Sequence, residues 1–205
     1  MEGDARIKEM NMRLARLALV ASVGFAAAAL PAAGAVAIGE KLQPFKLNDV
    51  TGKSVDLGSL QGKKAVVLMF IATQCPVSNA YNERMAALSR EYGARGVAFV
   101  GINSNRQESV EEIAGHAAQH GFSFPVLKDV GNVQADYFGA QVTPEIYVYD
   151  PGWILRYHGR IDDDRSGANV KSQDLRTALD AVLGAKTVPV AETKAFGCTI
   201  KRVAQ

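Results

Sequence analysis

The sequence is poor in the residues that build disulfide scaffolds and nucleic-acid-binding surfaces. It has only two cysteines among 205 residues, which excludes a disulfide-rich scaffold and a four-cysteine zinc site. Its 23 basic and 21 acidic residues nearly balance, so there is no strong positive field to attract nucleic acid. Apolar residues make up 48% of the chain and charged residues 21%, which excludes wholesale disorder. We therefore expect an ordered domain that does not bind nucleic acid.

The first 35 residues have the pattern of an export signal. Arg13 and Arg16 precede an uncharged run over residues 17–30, and small residues at A-x-A spacing follow at 33–35. The apolar run is shorter than the ~20 residues that a membrane-spanning helix needs, so a signal peptide over residues 1–35 is favoured over a membrane anchor. Export predicts a periplasmic or other extracytoplasmic location, where a cysteine pair can be oxidised.

Residues 36–184 have the pattern of one α/β domain. Apolar residues alternate with polar ones on both sides of a turn at 49–52, which predicts a β-hairpin that extends to Leu57. Continuous apolar runs predict strands buried on both faces, as in a parallel sheet, at 65–72 and 97–102. Helical spacing and a further hairpin pattern predict helices at 81–92, 109–120 and 175–183 and strands at 146–149 and 154–157. Strands that alternate with helices predict a layered α/β sheet, followed by an extended arm over residues 185–205.

Cys75 is the first candidate for chemistry. It follows the strongest buried strand and precedes a helix, so its side chain is expected at the helix N-terminus, where free N–H groups and the helix dipole favour an anion. That placement lowers the pKa of a thiol and makes it reactive. Pro76 suits the first helical turn. The alternative is a small buried cysteine without reactivity.

Thr143 and Pro144 lie just before the predicted strand 146–149. A proline at this place can simply begin a strand, because it cannot donate a hydrogen bond within the sheet. It can also form a cis peptide bond, whose tight bend would present backbone to the Cys75 sulfur. The residues themselves leave both interpretations open.

A strand that ends in Cys75-Pro76, then a helix, a strand, a helix and Thr143-Pro144 before a hairpin, resembles the thioredoxin fold. The segment 124–129 is similar to the redoxin branch, which includes peroxiredoxins and thiol-specific antioxidant proteins. Over roughly residues 40–184 the chain is most similar to exported peroxiredoxin-like redoxins. The shared motifs are Cys-Pro-x-Ser at 75–78, Asn-Ser-Asn at 103–105, Arg-Ile-Asp-Asp at 160–163 and Gly-Cys-x-Ile at 197–200. The resemblance implies a central mixed sheet flanked by helices, an N-terminal hairpin, an extended C-terminal arm, and a cis Pro144 that faces Cys75.

The chain departs from both well-known members of this fold. Ser78 replaces the second cysteine of a thioredoxin-like Cys-x-x-Cys, so the usual internal disulfide cannot form. Peroxiredoxins carry a threonine three residues before their cysteine and a proline further upstream, whereas Thr73 is two residues before Cys75. We predict substrate-positioning roles for Thr73, Pro76, Ser78, Thr143 and Pro144. For Ser78 the alternative is a small residue that satisfies backbone donors near a helix start.

Cys198 is the second candidate, because it is the other thiol of the chain. If the arm is flexible and folds back, the Cys198 thiolate can resolve a mixed disulfide or a sulfenic acid at Cys75 and leave a Cys75–Cys198 disulfide. Two alternatives remain: a static disulfide that fixes the arm, or no pairing at all.

These features predict an exported thiol–disulfide oxidoreductase that acts on thiols and disulfides, draws on a thiol electron donor and needs no cofactor or metal. The alternatives are peroxide reduction by Cys75, a copper-binding module and a degenerate interaction domain. Copper proteins of this fold use a Cys-x-x-x-Cys pair, and Asn79 stands at the second of those positions. His116 and His120, one helical turn apart, are predicted to lie on a solvated helix face rather than to bind a metal.

Overall fold

The computed structural model describes residues 35–204, so nearly all of the predicted signal peptide lies outside the described residues. No helix of residues 35–204 is long and apolar enough to cross a membrane. The strands are β1 (Lys46–Asn48), β2 (Ser54–Asp56), β3 (Ala65–Phe70), β4 (Val97–Asn103), β5 (Val126–Lys128), β6 (Val142–Thr143), β7 (Glu145–Tyr149), β8 (Leu155–Gly159) and β9 (Cys198–Thr199). The helices are α1 (Pro76–Asn79), α2 (Asn82–Gly93), α3 (Val110–Gln119), α4 (Val133–Phe138) and α5 (Asp174–Leu183).

Five of the strands form a central mixed sheet in the order β5-β4-β3-β7-β8. Strand β3 is parallel to β4 and antiparallel to β7, while β4 and β5 are parallel and β7 and β8 antiparallel. Every residue of β3 is buried, as its continuous apolar run predicts. The expected mixed sheet with an N-terminal hairpin, β1–β2, is therefore confirmed.

The two faces of the sheet pack against different partners because successive side chains of a strand alternate between faces. Val67 and Met69 of β3 belong to one apolar cluster, which includes residues of α2 and α5. Leu68 and Phe70 belong to a second cluster, which includes Phe138 of α4. Both faces are thus covered, and β3 is fixed firmly before the chain reaches Cys75.

The structure corrects the boundaries of the N-terminal hairpin and of β3. Strand β2 ends at Asp56 because the Asp56 carboxylate accepts the Gly58 N–H at 2.8 Å and starts a 3-10 helix over Leu57–Leu60. Leu57, predicted as a strand residue, is the first residue of that helix. Strand β3 ends at Phe70 rather than at residue 72.

Strand β5 and helix α4, which lie between α3 and β6, have no periodic pattern in the sequence and were not predicted. A three-residue strand and a six-residue helix are too short to show a periodic pattern. Between them the backbone is left-handed at Gly131 and Asn132, with φ of 79° and 63°. This turn lets the chain reverse and place Phe138 in the core.

The C-terminal arm is docked on the domain rather than loose. The His158 N–H donates to the Ala191 carbonyl at 2.9 Å, and the Thr193 N–H donates to the His158 carbonyl at 3.0 Å, so the arm runs beside β8. Strand β9 then pairs antiparallel with β6, and Ile200 is buried at 3% exposure. Backbone hydrogen bonds of this kind leave no signature in the sequence, so the sequence left open whether the extended arm folds back onto the domain.

Candidate functional site

The Cys75 sulfur lies at the N-terminus of α1, immediately after the buried β3. Cys75 is the N-cap of this helix, and its sulfur accepts the Ser78 N–H at 3.2 Å. Pro76 occupies the first helical position, as predicted. The thiol also donates to the Thr143 carbonyl at 3.3 Å, and the residue is only 3% exposed. The sequence thus placed Cys75 correctly, although it is more deeply covered than a freely accessible nucleophile.

The Thr143–Pro144 peptide bond is cis, as the resemblance implied. It joins β6 to β7, so Thr143 ends one strand and Glu145 begins the next. The Thr143 carbonyl is turned toward the Cys75 sulfur by this arrangement. The bend therefore faces the thiol, which the residues alone left undecided.

The second cysteine reaches the same place by strand pairing. In the β6–β9 ladder Cys198 stands opposite Thr143, and both cysteines are free thiols. The pairing depends on Gly197, because a Cβ at that position would lie 1.9 Å from the Thr143 carbonyl oxygen and 2.6 Å from its carbon. No side chain fits against backbone atoms at such distances, so glycine permits the close approach of the arm.

The surroundings of the two thiols shift their pKa values in opposite directions. Burial raises the pKa of Cys75, but hydrogen bonds from the Cys198 thiol and the Ser78 N–H outweigh burial and lower it. Burial and the hydrogen bond to Cys75 raise the pKa of Cys198. Cys75 is therefore the member of the pair that ionises first, which is the property of a nucleophilic cysteine.

The predicted positioning residues lie around Cys75 in different ways. Ser78 is fully buried, and its hydroxyl accepts the Ala72 N–H at 3.2 Å, so it satisfies a backbone donor as its alternative interpretation proposed. The hydroxyls of Thr73 and Thr143 are buried and have no hydrogen-bond partner within residues 35–204. An orphaned hydroxyl beside a thiol is a donor that a thiolate or a bound substrate can use.

Sequence reasoning missed two buried carboxylates near the site. Glu108 is 1% exposed and accepts the backbone N–H groups of Thr73 and Gln74 at 2.8 and 3.0 Å. Glu145 is 5% exposed and accepts a hydrogen bond from the His158 ring at 2.7 Å. The only sequence signal was that Glu108 follows the Asn-Ser-Asn motif and that Glu145 follows Pro144, and neither position has a pattern that demands burial.

His116 of α3 and His120, the C-cap of the same helix, differ from the prediction. The His116 ring is half-buried, and its Nε2 lies 3.1 Å from both the Asn82 amide nitrogen, from which it can accept, and the Asn79 side-chain oxygen, to which it can donate in the other tautomer, so it does not lie on a solvated face. The His120 ring lies 4.5 Å from it, centroid to centroid. In residues 35–204 no group of three or more His, Cys, Asp or Glu side chains converges on a possible metal position.

A cavity of about 540 Å³ lies elsewhere, at the end of β3 that is remote from Cys75. It is lined by apolar residues of α5 and the arm and by Lys64, Arg156 and Lys186. None of the site residues lines it, so its size alone does not make it the candidate site. The site is instead the narrow contact between α1, the cis-proline bend and β9.

A mixed sheet of this order, with a thiol held between a helix N-terminus and a cis-proline bend, defines an oxidoreductase of the thioredoxin fold. The AhpC/TSA family matches residues 38–158, and the chain belongs to that family. The chain is 32% identical over 121 residues to the thiol-disulfide oxidoreductase ResA of Halalkalibacterium halodurans, covering 58% of this chain and 67% of ResA. It is 28% identical over 120 residues to the chloroplastic peroxiredoxin Q of Sedum lineare, covering 55% of this chain and 63% of that protein.

A solved structure supports the same fold over more of the chain. A hypothetical protein of Sinorhizobium meliloti 1021 superimposes with a TM-score of 0.78 at 34% identity and covers 84% of this chain and 98% of its own. The expected thioredoxin-like fold is therefore confirmed.

Proposed function

We propose that this protein catalyses thiol–disulfide exchange, with Cys75 as the nucleophile and Cys198 as the resolving thiol. The observation that carries the proposal is the position of the Cys75 sulfur. It accepts the Ser78 N–H at a helix N-terminus and donates to the carbonyl of Thr143, the residue opposite Cys198 in the β6–β9 ladder. The similarity to ResA, a thiol-disulfide oxidoreductase by name, supports the same chemistry.

The exchange proceeds in two steps. The Cys75 thiolate attacks one sulfur of a substrate disulfide, which breaks the substrate S–S bond, expels one half as a thiolate and forms a mixed disulfide on Cys75. Cys198 then loses its proton to solvent and attacks the Cys75 sulfur, which releases the second half of the substrate as a thiolate. Two electrons have passed to the substrate, and a thiol electron donor reduces the Cys75–Cys198 disulfide again. The substrates are disulfides of proteins or small molecules.

The residues around the sulfur would position the substrate rather than react. The Ser78 N–H and the unpartnered Thr143 hydroxyl stabilise the thiolate as it forms and leaves. Thr73 lies in the turn that precedes α1, Pro76 begins that helix, and Pro144 holds the Thr143 carbonyl beside the sulfur. The chain's own residues therefore supply the chemistry, since the electrons reside on sulfur.

Peroxide reduction is the second candidate, and burial of the sulfur favours it. Cys75 is 3% exposed beneath β9, so a small oxidant reaches it more readily than a protein disulfide does while the arm is docked. The thiolate would attack a peroxide oxygen, yielding a sulfenic acid and water or an alcohol, and Cys198 would then form the disulfide and release water. The similarity to peroxiredoxin Q is consistent with this route.

The proposal also includes export of the protein from the cytoplasm. Residues 13–35 carry a basic start, an apolar run and an A-x-A site, and an oxidising compartment would supply disulfide substrates. Fractionation of cells that express the full chain, with mass spectrometry of the mature N-terminus, tests this part. An uncleaved, cytoplasmic product would contradict it.

The test of the activity compares the unchanged chain with Cys75→Ser and Cys198→Ser. Reduction of a bis-glutathionylated reporter peptide and of hydrogen peroxide is followed with dithiothreitol as the electron donor. Cys75→Ser should abolish turnover, and Cys198→Ser should trap Cys75 as a mixed disulfide with the substrate. Undiminished turnover of both substrates by Cys75→Ser would overturn the proposal.

Faster turnover of peroxide than of the peptide would favour the second candidate. Tight Cu(I) binding that is lost in both variants would favour the copper-binding alternative.

A further inference from the structure

A buried carboxylate lies directly behind the turn that carries Cys75. Glu108 Oε2 accepts the Thr73 N–H at 2.8 Å, and its Oε1 accepts the Gln74 N–H at 3.0 Å. These are the two residues that precede Cys75, so one carboxylate holds the backbone on which the nucleophile is placed. Neither bond belongs to regular secondary structure.

The same carboxylate holds the residue that binds the arm. Glu108 accepts the side-chain amides of Asn103 at 2.5 Å and of Asn105 at 2.9 Å. The free carbonyl oxygen of the Asn105 side chain accepts the Lys201 N–H at 2.7 Å, three residues after Cys198. The neighbouring Arg106 N–H donates to the Lys201 carbonyl at 2.9 Å. One series of hydrogen bonds therefore connects the turn before Cys75 with the segment of the arm that directly follows β9 and its Cys198.

The carboxylate is ionised despite its burial. Burial raises the pKa of Glu108, but the four N–H donors from residues 73, 74, 103 and 105 outweigh burial and lower it. The nearby Lys128 ammonium donates to the backbone carbonyls of Asn105 and Glu108 at 2.6 and 2.8 Å. A buried charge with four directed donors fixes its neighbours more strictly than neutral groups would, because hydrogen bonds to a charge are the stronger ones.

We propose that Glu108 is a positioning residue. It fixes the turn before Cys75 relative to the C-terminal arm, so that Cys198 lies beside Cys75. Glu108 is linked to the arm through Asn105 and touches neither sulfur, so its effect passes through backbone placement. The importance of this positioning for catalysis rests on the proposed function. The positioning itself does not depend on that function.

The direct test measures how well the arm covers Cys75 in a chain that cannot form a disulfide. In a Cys198→Ser background, Glu108→Gln replaces one acceptor oxygen by a donor that opposes the N–H groups already there. The rate of Cys75 alkylation by iodoacetamide at a fixed thiolate fraction should rise about tenfold or more, as expected for loss of hydrogen bonds to a charged group.

The matched control is Asp129→Asn in the same background. Asp129 is a buried carboxylate, 2% exposed, that accepts the Ser104 hydroxyl and two backbone N–H groups of α4 and makes no hydrogen bond to the Cys75 turn or to residues 197–201. It should lower the free energy of unfolding by a similar amount and leave the alkylation rate within about twofold. An equal rise in both variants, or no rise in Glu108→Gln, would overturn the proposal.

A second measurement separates this inference from the proposed function. In the chain with both cysteines, the equilibrium constant of the Cys75–Cys198 disulfide is measured in glutathione buffers. Glu108→Gln should lower it about tenfold relative to Asp129→Asn, because Cys198 is held less often beside Cys75. An unchanged constant would contradict the role of Glu108. Failure of the unchanged chain to form the disulfide at all would contradict the proposed function, while the alkylation test still decides the role of Glu108.

Discussion

Gly197→Ala tests whether the arm must approach the cis-proline bend closely for the two cysteines to pair. The added Cβ would lie 1.9 Å from the Thr143 carbonyl oxygen and 3.3 Å from the Pro144 nitrogen. These are backbone atoms of the buried cis-proline bend, so they cannot move aside as the end of a flexible side chain could. We therefore expect the arm to separate from β6.

The cost of that separation follows from the contacts that the arm gives up. Ile200, 3% exposed, loses its burial, which contributes about 2–3 kcal/mol for an isoleucine side chain. The hydrogen bond from the Ile200 N–H to the Gln141 carbonyl, 2.9 Å long, adds about 1 kcal/mol. Together they amount to about 3–4 kcal/mol, so the effective concentration of Cys198 at Cys75 should fall about a hundredfold or more.

The assay is the Cys75–Cys198 disulfide equilibrium in glutathione buffers, read by alkylation and mass spectrometry. The control is Gly115→Ala, because Gly115 lies within α3 and a Cβ there meets no atom within 4 Å. The control should keep the unchanged equilibrium and gain a little helix stability. A Gly197→Ala equilibrium within twofold of the unchanged chain would refute the close-approach argument.

Two further predictions concern ionisation. Cys198→Ala removes a hydrogen bond that lowers the pKa of Cys75. The midpoint of Cys75 thiolate formation, followed by absorbance at 240 nm, should therefore move to higher pH. A midpoint that stays in place would show that the Cys198 thiol does not stabilise the thiolate. For Glu145, burial raises the pKa, but the hydrogen bond to His158 and two backbone N–H groups outweigh it and lower the pKa. Its contribution to stability is therefore fully present above its unfolded pKa of about 4.3 and is lost as the pH falls through the lowered folded value. Urea denaturation between pH 3 and 6 should show a smaller acid-side loss for Glu145→Gln than for the unchanged chain, and equal losses in both would refute the assignment.

Much of the fold could be predicted because its signals are local. The apolar runs of β3 and β4 allow only buried strands, and Ser109 and Glu112 form the capping box that starts α3. The strand-to-helix position of Cys75 follows from the same local order. By contrast, the three-residue β5 and the six-residue α4 were missed because tertiary packing rather than a repeating pattern fixes them.

By itself, the sequence determined the buried strands β3 and β4, the helices α2, α3 and α5, and the placement of Cys75 at a helix N-terminus, because these depend on neighbours within a few residues. Only the tertiary structure decided what surrounds the sulfur. The cis bend that faces Cys75, the pairing of Cys198 with Thr143 and the bonds from Glu108 to the turn before Cys75 join residues that are 34 to 68 positions apart. Such contacts arise from backbone hydrogen bonding and close packing between distant segments, and the order of residues along the chain carries no direct trace of them.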